Sequence, residues 1–202
     1  MRAADAAGAG AARRNRHMQG KVGFTAMADG TAADYELIFA HEASQAGRYA
    51  EWILETLAGM DDAGPYRVTR LEHALQAATR AERDGADDET VVCALLHDIG
   101  DTVAPANHSA VAAAMLKPFV SEKNHWIIQH HGLFQGYYWF QFIGEDRNAR
   151  ERFRGHEYFD DCVDFCANWD QPSFDPDYDS LPLQHFAPRV EALFAKEPQA
   201  HF

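Results

Sequence analysis

The chain has 202 residues, a formal net charge of −13, and 47% apolar and 12% aromatic residues. That size predicts one main domain that can bury a core without disulfides, and the composition excludes an intrinsically disordered chain. The acidic balance argues against nucleic acid and anionic membranes as partners, and no run of about 18 apolar residues is present to span a bilayer.

Charge is uneven along the chain. Residues 1–21 carry five basic side chains and one acid. Residues 1–32 are read as a disordered or non-native leader, because the first twenty are rich in Ala, Gly and Arg without periodicity and Met18 and Met27 are both plausible starts. Residues 33–202 are read as a single helical domain. The three cysteines, Cys93, Cys162 and Cys166, lie in apolar helical patterns. Their odd number and lack of a framework spacing predict a reducing compartment, hence a cytoplasmic protein. Cys162 and Cys166 read as core residues one helical turn apart.

In chain order, apolar residues at spacings of three and four predict a helix over 34–60, then a loop from Gly59 to Pro65. Thr69 and Glu72 form a capping box that starts a helix carrying His73, running to about Arg83 and ended by Gly85. Asp87, Asp88 and Glu89 place acids at the start of the next helix. Its 91–99 portion is apolar on nearly all sides and is therefore expected to be central. His108 opens a helix ending before Pro118. Ser121 caps another over 122–131, with Gly132 as its stop. An aromatic segment follows, from Phe134 to Phe142. Helices are predicted over 146–153, 155–169 and 188–195, and a proline-rich tail precedes the last. With no credible strands, the fold class is all-α.

Six positions carry metal-binding chemistry: His73, His97, Asp98, His108, one of His130 and His131, and Asp170. Imidazole supplies a neutral nitrogen ligand, and a carboxylate can bridge two cations. Adjacent His97 and Asp98 point apart on a regular helix. They share one site if the helix ends there, and Gly100 is a common stop residue. Buried at the end of the most apolar helix, their charges need a partner, and a cation is the simplest one. Helical bundles build such sites from inward side chains on facing helices, and each predicted helix here offers a candidate. Carboxylate and imidazole donors suit Fe, Mn, Zn or Co, and the lack of thiols among them argues against structural zinc. His131 follows the core-facing Ile127 and Ile128 by four and three residues and shares their face, which favours it over His130.

The order His73, His97-Asp98, Asp170 resembles the H…HD…D signature of the HD-domain superfamily, whose members are all-α helical bundles around a buried metal site. With His108 and His131 in between, residues 66–190 are similar to its dinuclear branch, the mixed-valence diiron oxygenases. That branch includes the phosphonate-cleaving HD oxygenases and, more distantly, myo-inositol oxygenase. The resemblance implies two iron ions as Fe(II)/Fe(III), with Mn, Co or Zn, single or paired, as alternatives. His73, His97 and Asp170 would hold one ion, His108 and His131 the other, and Asp98 would bridge. His131 stands six residues before Tyr137, the His-to-Tyr spacing of the phosphonate branch. The implied partners are O2 and a small polar substrate, oxidised at a C–H bond with C–C or C–P cleavage. Tyr66, seven residues before His73 in the loop leading to that helix, either caps the open iron position or is a surface-loop residue. Asp101 joins Asp98 and Tyr66 in the expected catalytic set.

The same comparison shows departures. The phosphonate branch carries a Lys four residues after the equivalent of His131, where this chain has Gln135. It carries an Arg three before the final Asp, where this chain has Ala167. Losing those cations, with Asp101 standing where that branch commonly has His, points to a neutral polyol-like or a cationic substrate. The rings from Phe134 to Phe142 are then either a cation–π lining or core. The superfamily's commoner activity is metal-dependent hydrolysis of nucleotides or other phosphate esters, in which a metal activates water. It needs nearby cations, for which Lys117, Lys123 and Arg70 are the candidates. A non-enzymatic metal-binding sensor or scaffold is the third reading.

Overall fold

The computed structural model describes residues 20–199, and all regular structure among them is helical, as expected. The expected leader falls largely outside this range. The chain divides into two units, one up to Tyr49 and one from Ala50. In the first, Met27–Asp29 forms a 3₁₀ turn and α1 spans Ala32–Ala46. Thr31 and Asp34 form a capping box at the start of α1, and the Asp34 carboxylate also accepts the Gly23 N–H at 2.8 Å. The single helix predicted over 34–60 is therefore two, because α1 stops at Ala46 and α2 covers Tyr49–Ala58 after the turn at Gly47 and Arg48.

The second unit holds α2, with Ile53 and Leu57 buried, and the six helices that follow. The Thr69 hydroxyl accepts the Glu72 N–H at 3.0 Å and the Glu72 carboxylate accepts the Thr69 N–H at 2.6 Å. That capping box starts α3, Arg70–Arg83. Gly85, at φ +83°, takes the left-handed turn that ends it. Asp87 caps α4, Asp88–Leu96, in which Val91 through Leu96 are all buried. Helix α5 spans His108–Leu116 and α6 spans Glu122–Gln135, capped by Ser121. Helix α7, Phe159–Phe165, widens into a π turn at Cys166–Asp170, closed by the Gln171 N–H donating to the Cys166 carbonyl at 3.0 Å. Helix α8, Leu183–Phe194, buries Phe186, Val190, Leu193 and Phe194.

Helix α4 packs between α3, α6 and α8, and α3, α6 and α7 all meet the π turn. The segment after that turn straps along α3. Gln76 donates to the Asp175 carbonyl at 2.8 Å, Arg80 to the Pro172 carbonyl at 3.0 Å, and the Leu181 N–H donates to Thr79 at 3.0 Å.

Several predicted boundaries are corrected. Helix α6 runs through Gly132, whose missing side chain makes room for α5: a Cβ there would stand 2.6 Å from Ser109 Oγ and 3.3 Å from His108 Nε2. Residues 146–153 reach only a 3₁₀ turn, at Ala149–Phe153. Helix α8 begins five residues before Pro188 and passes through it, because its amphipathic burial outweighs one lost N–H.

Candidate metal centre

The six expected ligands arrive from five segments. His73 lies just past the capping box of α3. His97 caps the C-terminal end of α4, and Asp98 leaves the helix at φ −105° and ψ 10°. This break lets adjacent side chains serve one site. Gly100 contributes by packing and not by a left-handed turn, since a Cβ there would collide with the His108 backbone. That close approach brings the first residue of α5 to Asp98. His131 comes from the buried face of α6, and Asp170 closes the π turn.

The two oxygens of Asp98 face different imidazole pairs. Its Oδ2 lies 3.3 Å from His73 Nε2 and 3.2 Å from His97 Nε2. Its Oδ1 lies 3.1 Å from His131 Nε2 and 3.3 Å from His108 Nε2. Asp170 Oδ1 sits 3.4 Å from His73 Nε2 and 3.6 Å from His97 Nε2. The donor atoms of His73, His97 and Asp170 lie within 4.8 Å of one another, as do those of His97, Asp98 and His131. His108 stands outside both trios, facing Asp98 from a side that is 27% exposed.

All four rings are oriented the same way. Nδ1 of His97, His108 and His131 meets the carbonyl three residues earlier, of Ala94, Pro105 and Ile128, at 2.8, 3.1 and 2.8 Å. Nδ1 of His73 meets the Ser173 carbonyl at 2.9 Å. A carbonyl only accepts, so each Nδ1 carries the proton and each neutral ring turns an Nε2 lone pair inward. Four lone pairs and two carboxylates then converge with no donor among them, a set that fits cations.

Electrostatics agree. Burial works against a charge on His73, but Asp170 and Asp98 outweigh it and raise its pKa to about 9. His97 is raised against the same burial cost, mainly by the adjacent Asp98. Burial would push Asp98 up, yet His97, His131 and His73 hold it well below the usual carboxylate range. Asp170 is likewise held low by His73 and His97.

Neighbouring groups brace this arrangement. The Gln135 amide donates to Asp170 Oδ1 at 2.9 Å. The Trp169 indole N–H donates to Asp84 at 2.8 Å, fixing the residue beside Asp170. Asp101 links Arg70 Nε, at 3.2 Å, to His108 Nδ1, at 3.4 Å. Asp101, expected in the catalytic set, is thus ion-paired behind a ligand. Phe174 stacks on His73 with centroids 4.3 Å apart, and Tyr66 stacks on Phe174 at 5.2 Å. Tyr66 is therefore one ring removed from His73, and it is 56% exposed.

Other expected contributors lie elsewhere. His130 sits between the rings of Trp126 and Phe153, each 4.5 Å away, so His131 is the residue brought into the centre. Phe134 is core, against Phe159 at 5.1 Å. The Tyr137 face is occupied by the chain's own cations, Arg147 at 4.2 Å and Arg150 at 3.9 Å, so it is no lining for a cationic substrate. Lys123 pairs with Asp161 at 3.7 Å. The three cysteines are free and buried. Among the described residues no helix is long and apolar enough to cross a membrane.

Sequence reasoning missed Ser173 and Phe174, and it took Gln135 only as a lost cation. Gln135 lies four residues after His131, on the same helical face, and that spacing carried the signal.

Residues 70–160 match the HD domain family. No curated protein matches the chain. The matched segment contains five of the six converging residues, and with the all-helical fold it supports placing the chain in the HD-domain superfamily. An HD domain with buried His and Asp groups able to hold a metal ion indicates a metal-dependent enzyme.

Proposed function

We propose that the protein is a dinuclear HD oxygenase, using O2 to oxidise a C–H bond of a small polar substrate, with C–C or C–P cleavage. One observation carries this reading: the two oxygens of Asp98 address two imidazole pairs, His73 with His97 and His108 with His131. A single ion would use only the first pair with Asp98 and Asp170. The second pair offers donors for a second ion, beside the other Asp98 oxygen. His73, His97, Asp170 and Asp98 Oδ2 would hold one ion, and His108, His131 and Asp98 Oδ1 the other. Held by these residues, paired redox-active ions would supply the chemistry for O2.

The protein's own groups fix the rest. The carbonyls of Ser173, Ala94, Pro105 and Ile128 hold the four rings in the ligating tautomer. Gln135 steadies Asp170. Phe174 and Tyr66 cover the His73 side of the centre. Access comes on the His108 side, where both His108 and Asp98 are partly exposed.

The test is anaerobic reconstitution with iron, followed by EPR after partial oxidation. The expected result is two irons per chain and a coupled mixed-valence signal. One ion per chain, or phosphate release from phosphate esters without O2 and with Zn or Mn equally effective, would replace this reading with phosphohydrolysis.

A further inference from the structure

We propose that the cavity between the start of α6 and the turn at residues 156–158 is a second ligand site, taking a small organic cation with a flat body, of the arylamine or arylamidine type. None of its lining residues belongs to the His/Asp centre, so the inference does not rest on the oxygenase reading.

The cavity measures about 480 Å3, within the range of roughly 300–1,000 Å3 that small-molecule sites occupy. Its walls come from separate parts of the chain. Lys117 stands just past α5, Glu122 and Trp126 lie in the first two turns of α6, and His156, Glu157 and Tyr158 form the turn before α7. Gln199 adds a further side, and its N–H donates to the Pro118 carbonyl at 2.8 Å. Lys117, Glu122, His156 and Glu157 are all exposed, so the cavity opens to solvent.

The walls are aromatic and acidic. His156 stacks on Trp126 with centroids 4.2 Å apart and planes 12° from parallel. Tyr158 stands steeply against both, 5.4 Å from His156 at 60° and 6.4 Å from Trp126 at 66°. The Tyr158 N–H donates to His156 Nδ1 at 3.2 Å, which fixes the corner and leaves that nitrogen without a proton. The ring is thus neutral in this arrangement and adds no positive charge. Aromatic faces attract cations, and two carboxylates, Glu122 and Glu157, line the same space against the single ammonium of Lys117. Among the described residues nearby Asp161 pairs with Lys123 at 3.7 Å, whereas Glu122 and Glu157 have no ion-pair partner. Desolvation and then the carboxylates of Glu157, Glu122 and Asp161 push the Tyr158 phenol up, so the field at that wall is negative. A bare metal ion does not fit, because the described His, Cys, Asp and Glu groups close enough to hold one all belong to the His/Asp centre. A flat organic cation uses both the ring corner and the carboxylates.

The experiment titrates benzamidine, its neutral isostere benzamide and the anion benzoate separately into the full-length protein. Binding is followed by NMR at the Trp126 indole N–H, assigned by its loss in W126F. Benzamidine should move that signal saturably, benzamide should bind about tenfold more weakly or worse, and benzoate should not bind. The double variant E122Q/E157Q should weaken benzamidine about tenfold, while E145Q/E191Q, which removes the same charge elsewhere, should leave it unchanged. No saturable shift with benzamidine, equal or tighter binding of benzamide or benzoate, or unchanged affinity in E122Q/E157Q overturns the proposal. A shift of the same affinity at the Trp169 indole signal, beside Asp170, places the cation at the His/Asp centre and overturns it equally. Should E122Q/E157Q not fold, the three probes on wild type decide alone. These titrations involve neither O2 nor turnover, so their failure and the failure of the oxygenase reading are distinguishable.

Discussion

The Nε2 atoms of His73 and His97 stand 3.0 Å apart, while the Nδ1 of each ring meets a backbone carbonyl. Two neutral rings held this way have no proton to share. The pair is satisfied by an added proton or by a metal ion, and the two compete.

That competition sets a pH dependence. The His73 pKa is raised to about 9, above its ordinary 6.5. Its contribution to stability is therefore complete below pH 6.5 and disappears as pH rises through 9, on the order of 3 kcal/mol in chelator-treated protein. Metal binding needs the lone pairs and strengthens with pH. Thermal melts across this window should show the chelated protein losing stability and the metal-loaded protein keeping it. A constant gap between the two series would contradict the competition. On the acid side, Asp98 and Asp170 are held low, so their contribution is lost as pH falls below the ordinary carboxylate value.

Single ligand substitutions should separate the two halves of the centre. His73→Ala removes a donor from one pair, His131→Ala from the other, and Asp98→Ala from both. Metal analysis is expected to give one ion per chain for each histidine variant and few or none for Asp98→Ala. Equal, complete loss in His73→Ala and His131→Ala would mean a single shared ion.

Asp101 should act through His108. Asp101→Ala removes the group 3.4 Å from His108 Nδ1 and 3.2 Å from Arg70. Supports of this kind typically change metal affinity about 10- to 100-fold, and the low end is expected because Pro105 still accepts from the same nitrogen. Competition with a chelator should show the ion on the His108 side loosened and the other unaffected.

Two glycines give contrasting tests. Gly100→Ala drives a Cβ into the His108 backbone, which cannot yield, and should cost about 2 kcal/mol or more in urea unfolding. Gly132→Ala meets the more adjustable Ser109 hydroxyl at 2.6 Å. The better helix propensity of Ala, about 1 kcal/mol, offsets much of that strain. Its stability should stay near wild type while metal affinity falls, because His108 Nε2 is pressed from 3.3 Å.

What was legible in the sequence was local. The Thr69–Glu72 capping box, the Asp87 and Ser121 caps and the apolar run of α4 obey rules confined to one or two helical turns. The choice of His131 over His130 followed from the face shared with Ile127 and Ile128. What was not legible depended on distant partners. Gly132 read as a stop because nothing nearby discloses that α5 passes against it. Pro188 read as a start because the burial of Phe186 belongs to tertiary packing. The Ser173 carbonyl is backbone, and any residue type could supply it.

Three of the four imidazoles are steadied by carbonyls of their own turn, so their orientation is complete as soon as that turn forms. His73 waits for Ser173, one hundred residues later, and Asp170 arrives with the same segment. During synthesis, then, the centre stays incomplete until the strap along α3 has emerged. A chain cut short before that point keeps most of its donors and cannot lock the first of them. Assembly of the site thus reports that nearly the whole domain has been made.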